Sequence, residues 1–374
     1  MWKICLLSRP GLAAGTYVIQ RTERNLAAGL RLLGRSMRLW AVVMSLFLAR
    51  KANSSVQALR RGFSVRGGGL KMAVSHSQMR GFRQRIRECN QLGGDHAKTR
   101  PLVIDGNEAG CLTDSVSALL LEFPSCFVED PATGGVALRD EEAGVDERTR
   151  QVAEVMASLR ERGLVTGWRD ELIDVAPSFG SAPSLRVERA AYPLLGTKGY
   201  GIHVNGYVVR SDGEIALWVA TRAKDKQTWP GKSDHIVAGQ ISGGLSPTAA
   251  VLKEAEEEAG IPPSLASCAI PVGAVSYRGM DEQGRLKNDV VFCFDLELPE
   301  DFVPVAVDGE VDSFELCSLS KVAELLDCDP TEPQAYKPNV NLVVIDFLLR
   351  RGFIPPEAPG YLEMVASLRS GDCS

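Results

Sequence analysis

Four glutamates fall within five residues at Glu254-Ala255-Glu256-Glu257-Glu258, and so dense a run constrains the fold around it. Read as a helix, the segment puts Glu254 and Glu258 one turn apart, with Glu257 beside them, while Leu252, Ala255 and Ala259 face a core. Each like-charged pair at i,i+4 costs about 0.2–0.5 kcal/mol. A divalent cation offsets that repulsion, because a hard ion takes carboxylate oxygens and keeps positions open for water and phosphate. The plain alternative is a solvated acidic helix face. The flanks favour the ion: Gly239-Gln240-Ile241-Ser242-Gly243-Gly244 forms a glycine-rich turn ahead of the helix, and Gly260 sits where a C-cap belongs, before Pro262-Pro263.

With those residues in view, the segment resembles the Nudix box: Gly, five residues, Glu, seven residues, Arg-Glu, an apolar residue, any residue, Glu-Glu, any residue, Gly, an apolar residue. Gly239 stands first, Lys253-Glu254 stands for Arg-Glu, Ala255 is the apolar position, Glu257-Glu258 is the pair, and Gly260-Ile261 closes the box. Leu245 replaces the upstream Glu and Lys253 the Arg. The resemblance therefore implies that charge-paired support of the loop is exchanged for packing by Leu245. Further stretches are similar to one branch, the plant plastid Nudix hydrolases and the Nudix part of some fungal thiamine pyrophosphokinases. They include Gly201-Ile202-His203-Val204-Asn205-Gly206-Tyr207-Val208, Lys226-Gln227-Thr228-Trp229-Pro230-Gly231, Lys337-Pro338-Asn339 and Gly167-Trp168-Arg169-Asp170-Glu171.

Read locally, helices are expected over 79–92, 114–123, 146–162, 318–326 and 341–351, and strands over 102–104, 172–175, 204–210, 215–221, 269–277, 289–298 and 310–316. Ser211-Asp212-Gly213-Glu214 is a hairpin turn. This order fits the α/β fold that the resemblance implies, a Nudix α/β/α sandwich with a mixed sheet, preceded by a small α/β N-terminal domain. The expected bounds are a targeting leader at 1–78, the small domain at 79–190 and the Nudix domain at 191–370. The leader holds 13 Lys and Arg up to Lys71, and Glu23 is the only acid before Glu88. That is the composition of a transit peptide, plastid or alternatively mitochondrial. Its apolar run, Leu39–Ala49, is shorter than the ~20 residues that span a bilayer, so no stable membrane association is expected.

The whole chain carries −5, and without the basic leader its body is more acidic still, which excludes bulk attraction to nucleic acid. Nine scattered cysteines without a CxxC pair signal neither a disulfide framework nor a zinc site. The resemblance implies Mg2+, with Mn2+ as an alternative, held by Glu254, Glu257, Glu258 and the Gly239 carbonyl. The catalytic set is then Glu254 with Glu257 or Glu310 as general base. The partner is a small-molecule diphosphate, thiamine diphosphate or its oxo and oxy forms. The alternatives are ADP-ribose or NADH, and, from another class, a binding module without catalysis. Trp229, Thr228 and Gln227 lie in a loop where an aromatic stacks on a heteroaromatic ring. His203, Asn205 and Tyr207 share one strand face as pocket candidates. Trp168 and Arg169 are read as a domain-contact pair, in a unit expected to close over the site.

Overall fold

The strands between Lys198 and Glu297, joined by Val311–Ser318, build the central sheet. The computed structural model describes residues 75–92, 99–139, 143–281 and 285–371, all within the compact unit Lys71–Ser374. The expected leader, apart from its last few residues, lies outside the described residues.

Helix α1 (His76–Cys89) starts at a capping box, in which Ser75 accepts from Gln78 N and the Gln78 side chain accepts from Ser75 N. Strands β1 (Thr99–Ile104) and β2 (Asn107–Thr113) follow, joined by Asp105-Gly106. Both turn residues have positive φ, 55° and 69°, as a two-residue hairpin requires. Helix α2 (Asp114–Leu121), β3 (Phe127–Asp130) and β4 (Gly135–Leu138) complete a sheet of order β2-β1-β4-β3. Helix α2 packs on that sheet, while helix α3 (Val145–Glu161) packs against β6 (Leu185–Glu188), which pairs with β5 (Leu172–Val175). Phe127, Met156, Leu159 and Leu185 lie in this unit's own core.

A short helix α4 (Tyr192–Leu195) leads into β7 (Lys198–Val209) and β8 (Ile215–Arg222). Then come β9 (Ser233–His235), β10 (Val237–Gln240), the acidic helix α5 (Pro247–Ala259) and α6 (Pro263–Ala266). The chain continues through β11 (Ile270–Met280), β12 (Leu286–Glu297), β13 (Val311–Ser318), α7 (Leu319–Asp327), α8 (Pro338–Arg350) and α9 (Tyr361–Ser367). The sheet order is β11-β12-β7-β8-β13, with β10 added on β7 and β9 on β8. It is mixed, because β7 and β12 run parallel while the other pairs are antiparallel.

Alternation along β7 divides the sandwich. Ile202, Val204 and Val208 pack with Val251 and Ala255 of α5 on one side, and Tyr207 packs with Phe347 of α8 on the other. Helix α1 precedes the small unit in sequence, yet Met79, Phe82, Ile86 and Cys89 join the core of α7, α8 and α9. Spacings of three and four put those four on one face, which the C-terminal helices cover.

Candidate active site

Helix α5 begins at Ser246, whose hydroxyl accepts from Ala249 N, has Pro247 in its first turn, and stops at Gly260 with φ +59°. Its acids sit at three depths. Glu258 is buried, and its carboxylate accepts one hydrogen bond, from Ala238 N at 2.9 Å. No cation pairs with it among the described residues, and burial pushes its carboxyl well above the usual range. Glu254 is half-buried against Gly239 of β10, where a Cβ would come 2.8 Å from its Cδ, so any side chain at 239 displaces the carboxylate. The Gly239 carbonyl oxygen lies 3.1 Å from the Cβ position of Gly201. Glu257 is exposed, and Lys253 Nζ bridges it (2.6 Å) to Glu254 (3.1 Å). Glu254 is near enough to push the Glu258 carboxyl up further; carboxylates and a bare glycine backbone are oxygen donors of the kind a hard divalent ion takes.

Leu245 does not pack as expected; it is exposed. The glycine loop is supported from the small domain instead. Ser242 Oγ donates to Glu171 at 2.7 Å, Gly243 N to the Leu172 carbonyl at 2.9 Å and Gly244 N to Asp174 at 2.8 Å. Arg186 holds Asp174 in turn, at 2.9 Å. The acceptors that the box lacks come from around β5.

A cavity of about 820 Å³ opens beside Gly239. Arg160, Arg169, Arg189, Arg222, Lys226 and Lys337 line it, against the acids Glu310 and Asp289. Asp289 is engaged by the hydroxyls of Tyr192 (2.9 Å) and Tyr277 (2.6 Å). Glu310 pairs with Lys226; burial acts to raise its pKa, but Lys226 outweighs that and keeps it ionised, below the usual carboxylate range. Gln227, Trp229 and His203 also line this cavity. Trp229 and Gln227 border a second space of about 730 Å³ as well. Trp229 has φ +53°, uncommon for a bulky residue. Its loop is held by Arg222, which donates to the Trp229 carbonyl at 3.0 Å, the Thr228 carbonyl at 2.9 Å and Asp234 at 2.8 Å.

Asn205 is not part of the cavity wall. It lies buried beneath His203, with both ends of its amide engaged. Its Nδ2 donates to Asp295 at 3.0 Å, so its Oδ1 is left to accept from His235 Nε2 at 3.1 Å. His235 Nδ1 is then an acceptor, and His203 Nδ1 donates to it at 2.9 Å. The chain of bonds assigns His203 one tautomer, with Nε2 as a bare acceptor, in a residue that lines the cavity. His203, Asp234 and His235 cluster closely, but Arg222 and Lys337 neutralise Asp234, and the histidines already bond each other. Sequence reasoning passed over Asp234 and His235, which sit in a three-residue strand without a readable period.

The histidine pair predicts an acid sensitivity. Burial pulls His203 well below its usual range and His235 down to about 4. A histidine held neutral in the native state and free to protonate near pH 6.5 when unfolded contributes stability above pH 6.5 that is lost as pH falls toward 4. For His235 alone the loss is about 3 kcal/mol. Urea midpoints between pH 7.5 and 4.5 test this. The wild type should fall steeply and a His203→Gln/His235→Gln double variant less so; equal slopes would refute the assignment.

Comparison with known proteins fits this geometry. Residues 199–337 match the NUDIX domain, and residues 81–199 match a domain of unknown function, DUF4743. The chain is 43% identical over 305 residues to "Nudix hydrolase 20, chloroplastic" of Arabidopsis thaliana, covering 80% of each. It is 43% identical over 298 residues to "Nudix hydrolase 24, chloroplastic" of the same plant, again with 80% of each covered. An uncharacterized protein of Saccharomyces cerevisiae, YJR142W, is 38% identical over 217 residues, covering 54% of this chain and 61% of the yeast one. The two plant names support a plastid location. Among the described residues no helix is long and apolar enough to cross a membrane. Box, sheet and matched domain agree: this chain belongs to the Nudix hydrolase family, whose members hydrolyse diphosphate anhydride bonds.

Proposed function

We propose that the chain is a magnesium-dependent hydrolase of a small organic diphosphate, with thiamine diphosphate and its oxidised oxo and oxy forms as first substrates. The observation that carries this reading is buried Glu258, which lacks a cation partner, next to a cavity lined by arginine and lysine. Trp229 supplies a flat apolar surface for a heteroaromatic end, and the resemblance to the plastid branch supplies the choice of ring.

Glu254, Glu257, Glu258 and the Gly239 carbonyl would hold the ion. Bound there, it would neutralise phosphate oxygens and acidify a water. The protein's own groups do the rest. Lys226 and Lys337 bind the non-bridging oxygens, and His203 Nε2 accepts a hydrogen bond from substrate or water. Glu257 or Glu310 takes the proton of the attacking water. A water oxygen bonds to phosphorus, the bridging P–O bond breaks, and the products are a monophosphate and inorganic phosphate. Glu310 is ionised beside Lys226 and so is able to accept that proton.

Phosphate release by the purified protein tests the reading, with thiamine diphosphate, its oxidised forms, ADP-ribose and NADH, with and without magnesium. Preferential release from the thiamine compounds is expected. Turnover of ADP-ribose or NADH alone would keep the centre and change the substrate. Absence of metal-dependent release from every compound would sink the assignment in favour of a binding module.

A further inference from the structure

The small domain does more than support the glycine loop. Its segment Gly167–Glu171 turns through Asp170 at φ +56°, a left-handed conformation that a non-glycine residue keeps only when its surroundings impose it. Buried Glu188 imposes it from both sides, accepting from Arg169 N at 2.8 Å and from Glu171 N at 3.2 Å. The Asp170 carboxylate accepts from Trp168 Nε1 at 2.8 Å. Between these clamps Arg169 lines the cavity beside Gly239.

Neighbouring arginines are committed: Arg189 to Glu171 at 2.7 Å, Arg186 to Asp174, Arg222 to Asp234. Arg169 is not. Its guanidinium has no hydrogen bond or ion pair among the described residues, and burial together with Arg189 holds its pKa below the usual range. A second donor is orphaned in the same cavity, Gln240 Nε2, which is buried without a partner. The Ser242–Glu171 bond ties the two segments together, since Arg169 lies two residues before Glu171 and Gln240 two before Ser242. A buried orphan amide donor and an unpaired guanidinium in one cavity call for a ligand rich in oxygen acceptors.

We propose that Arg169, with Gln240, seats the diphosphate of the substrate, so that the active site is assembled from both domains and the small domain takes part in binding. This rests on the reading of the cavity as a diphosphate-hydrolase centre and names an anion ligand that the box does not contain. A planar guanidinium suits two phosphate oxygens at once, which an ammonium does not.

The test is calorimetric titration of the full chain, in saturating magnesium, with methylenediphosphonate, whose P–C–P bridge is not hydrolysed. Arg169→Ala should bind it about ten- to a hundredfold more weakly than wild type. Arg169→Lys should recover only part of the loss, and guanidinium ion should partly restore turnover to Arg169→Ala without stimulating wild type. Melting temperatures of both variants check the fold. Wild-type affinity in Arg169→Ala, or full affinity in Arg169→Lys with no response to guanidinium, overturns the proposal while leaving the hydrolase reading in place. A wild type that neither binds the diphosphonate nor releases phosphate with metal overturns both.

Discussion

Replacing Glu258 by Gln is expected to lower kcat/KM by about 10³ or more, close to 4 kcal/mol of transition-state stabilisation. Without metal, the same change should leave the fold intact or firmer. Glu258 is buried with one hydrogen bond, and the glutamine carbonyl still accepts from Ala238 N. Burial already disfavours the charged form of Glu258, so a neutral amide there removes a desolvation cost rather than a stabilising charge. Two measurements separate these effects. The metal-free melting temperature should hold or rise, and the rise that magnesium gives the wild type should shrink sharply in the variant. A variant that turns over normally, or that melts well below wild type without metal, would contradict the role given to Glu258.

Asp295→Asn is expected to destabilise the protein by about 3–5 kcal/mol, the usual effect of breaking a buried ion pair from one side. Asp295 is buried and accepts from Arg350 at 3.0 Å through two nitrogens, from Arg351 at 3.1 Å and from Asn205 at 3.0 Å. Arg350 also holds Asp346, which Arg369 holds at 2.8 Å. The carboxylate thus locks the end of α8 against β12, and Asp346 of α8 in turn holds Arg369 after α9. Urea unfolding measures the loss; a change below 1 kcal/mol would mean that solvent replaces the lost partner. Activity should fall too, because Asp295 orients Asn205, which sets the tautomer of His235 and through it that of His203, a residue of the cavity wall.

Much of the candidate site can be proposed from sequence because the residues it draws on are local. Gly239, the Glu254–Glu258 spacing and the Gly260 stop lie within one loop and one helix, where three or four residues of separation decide which groups meet. The long strands and α3, α5, α7 and α8 were legible for the same reason. Some strands were not: β3 and β6, of four residues each, offer little alternation, and the seven residues of β2 (NEAGCLT) lack an apolar period, although Asp105-Gly106 is a strong turn signal. His203 and Asn205 share a strand face, so their spacing made them equal candidates, but only His203 reaches the cavity and Asn205 is buried beneath it.

Leu245 marks the same limit. Its place in the box suggested packing, yet the loop is tied to Glu171, Leu172 and Asp174, some seventy residues earlier. Trp168 and Arg169 read as contacts between domains, and only the fold shows Arg169 on a cavity wall without a partner. The amino-acid sequence by itself determined the acidic helix, its caps, the metal chemistry they suit and the order of elements, since each depends on residues close along the chain. The tertiary structure alone decided which carboxylate lost its water, which histidine faces the cavity and which arginine is unpaired. Burial, tautomer and charge pairing depend on groups that folding brings together from distant parts of the chain.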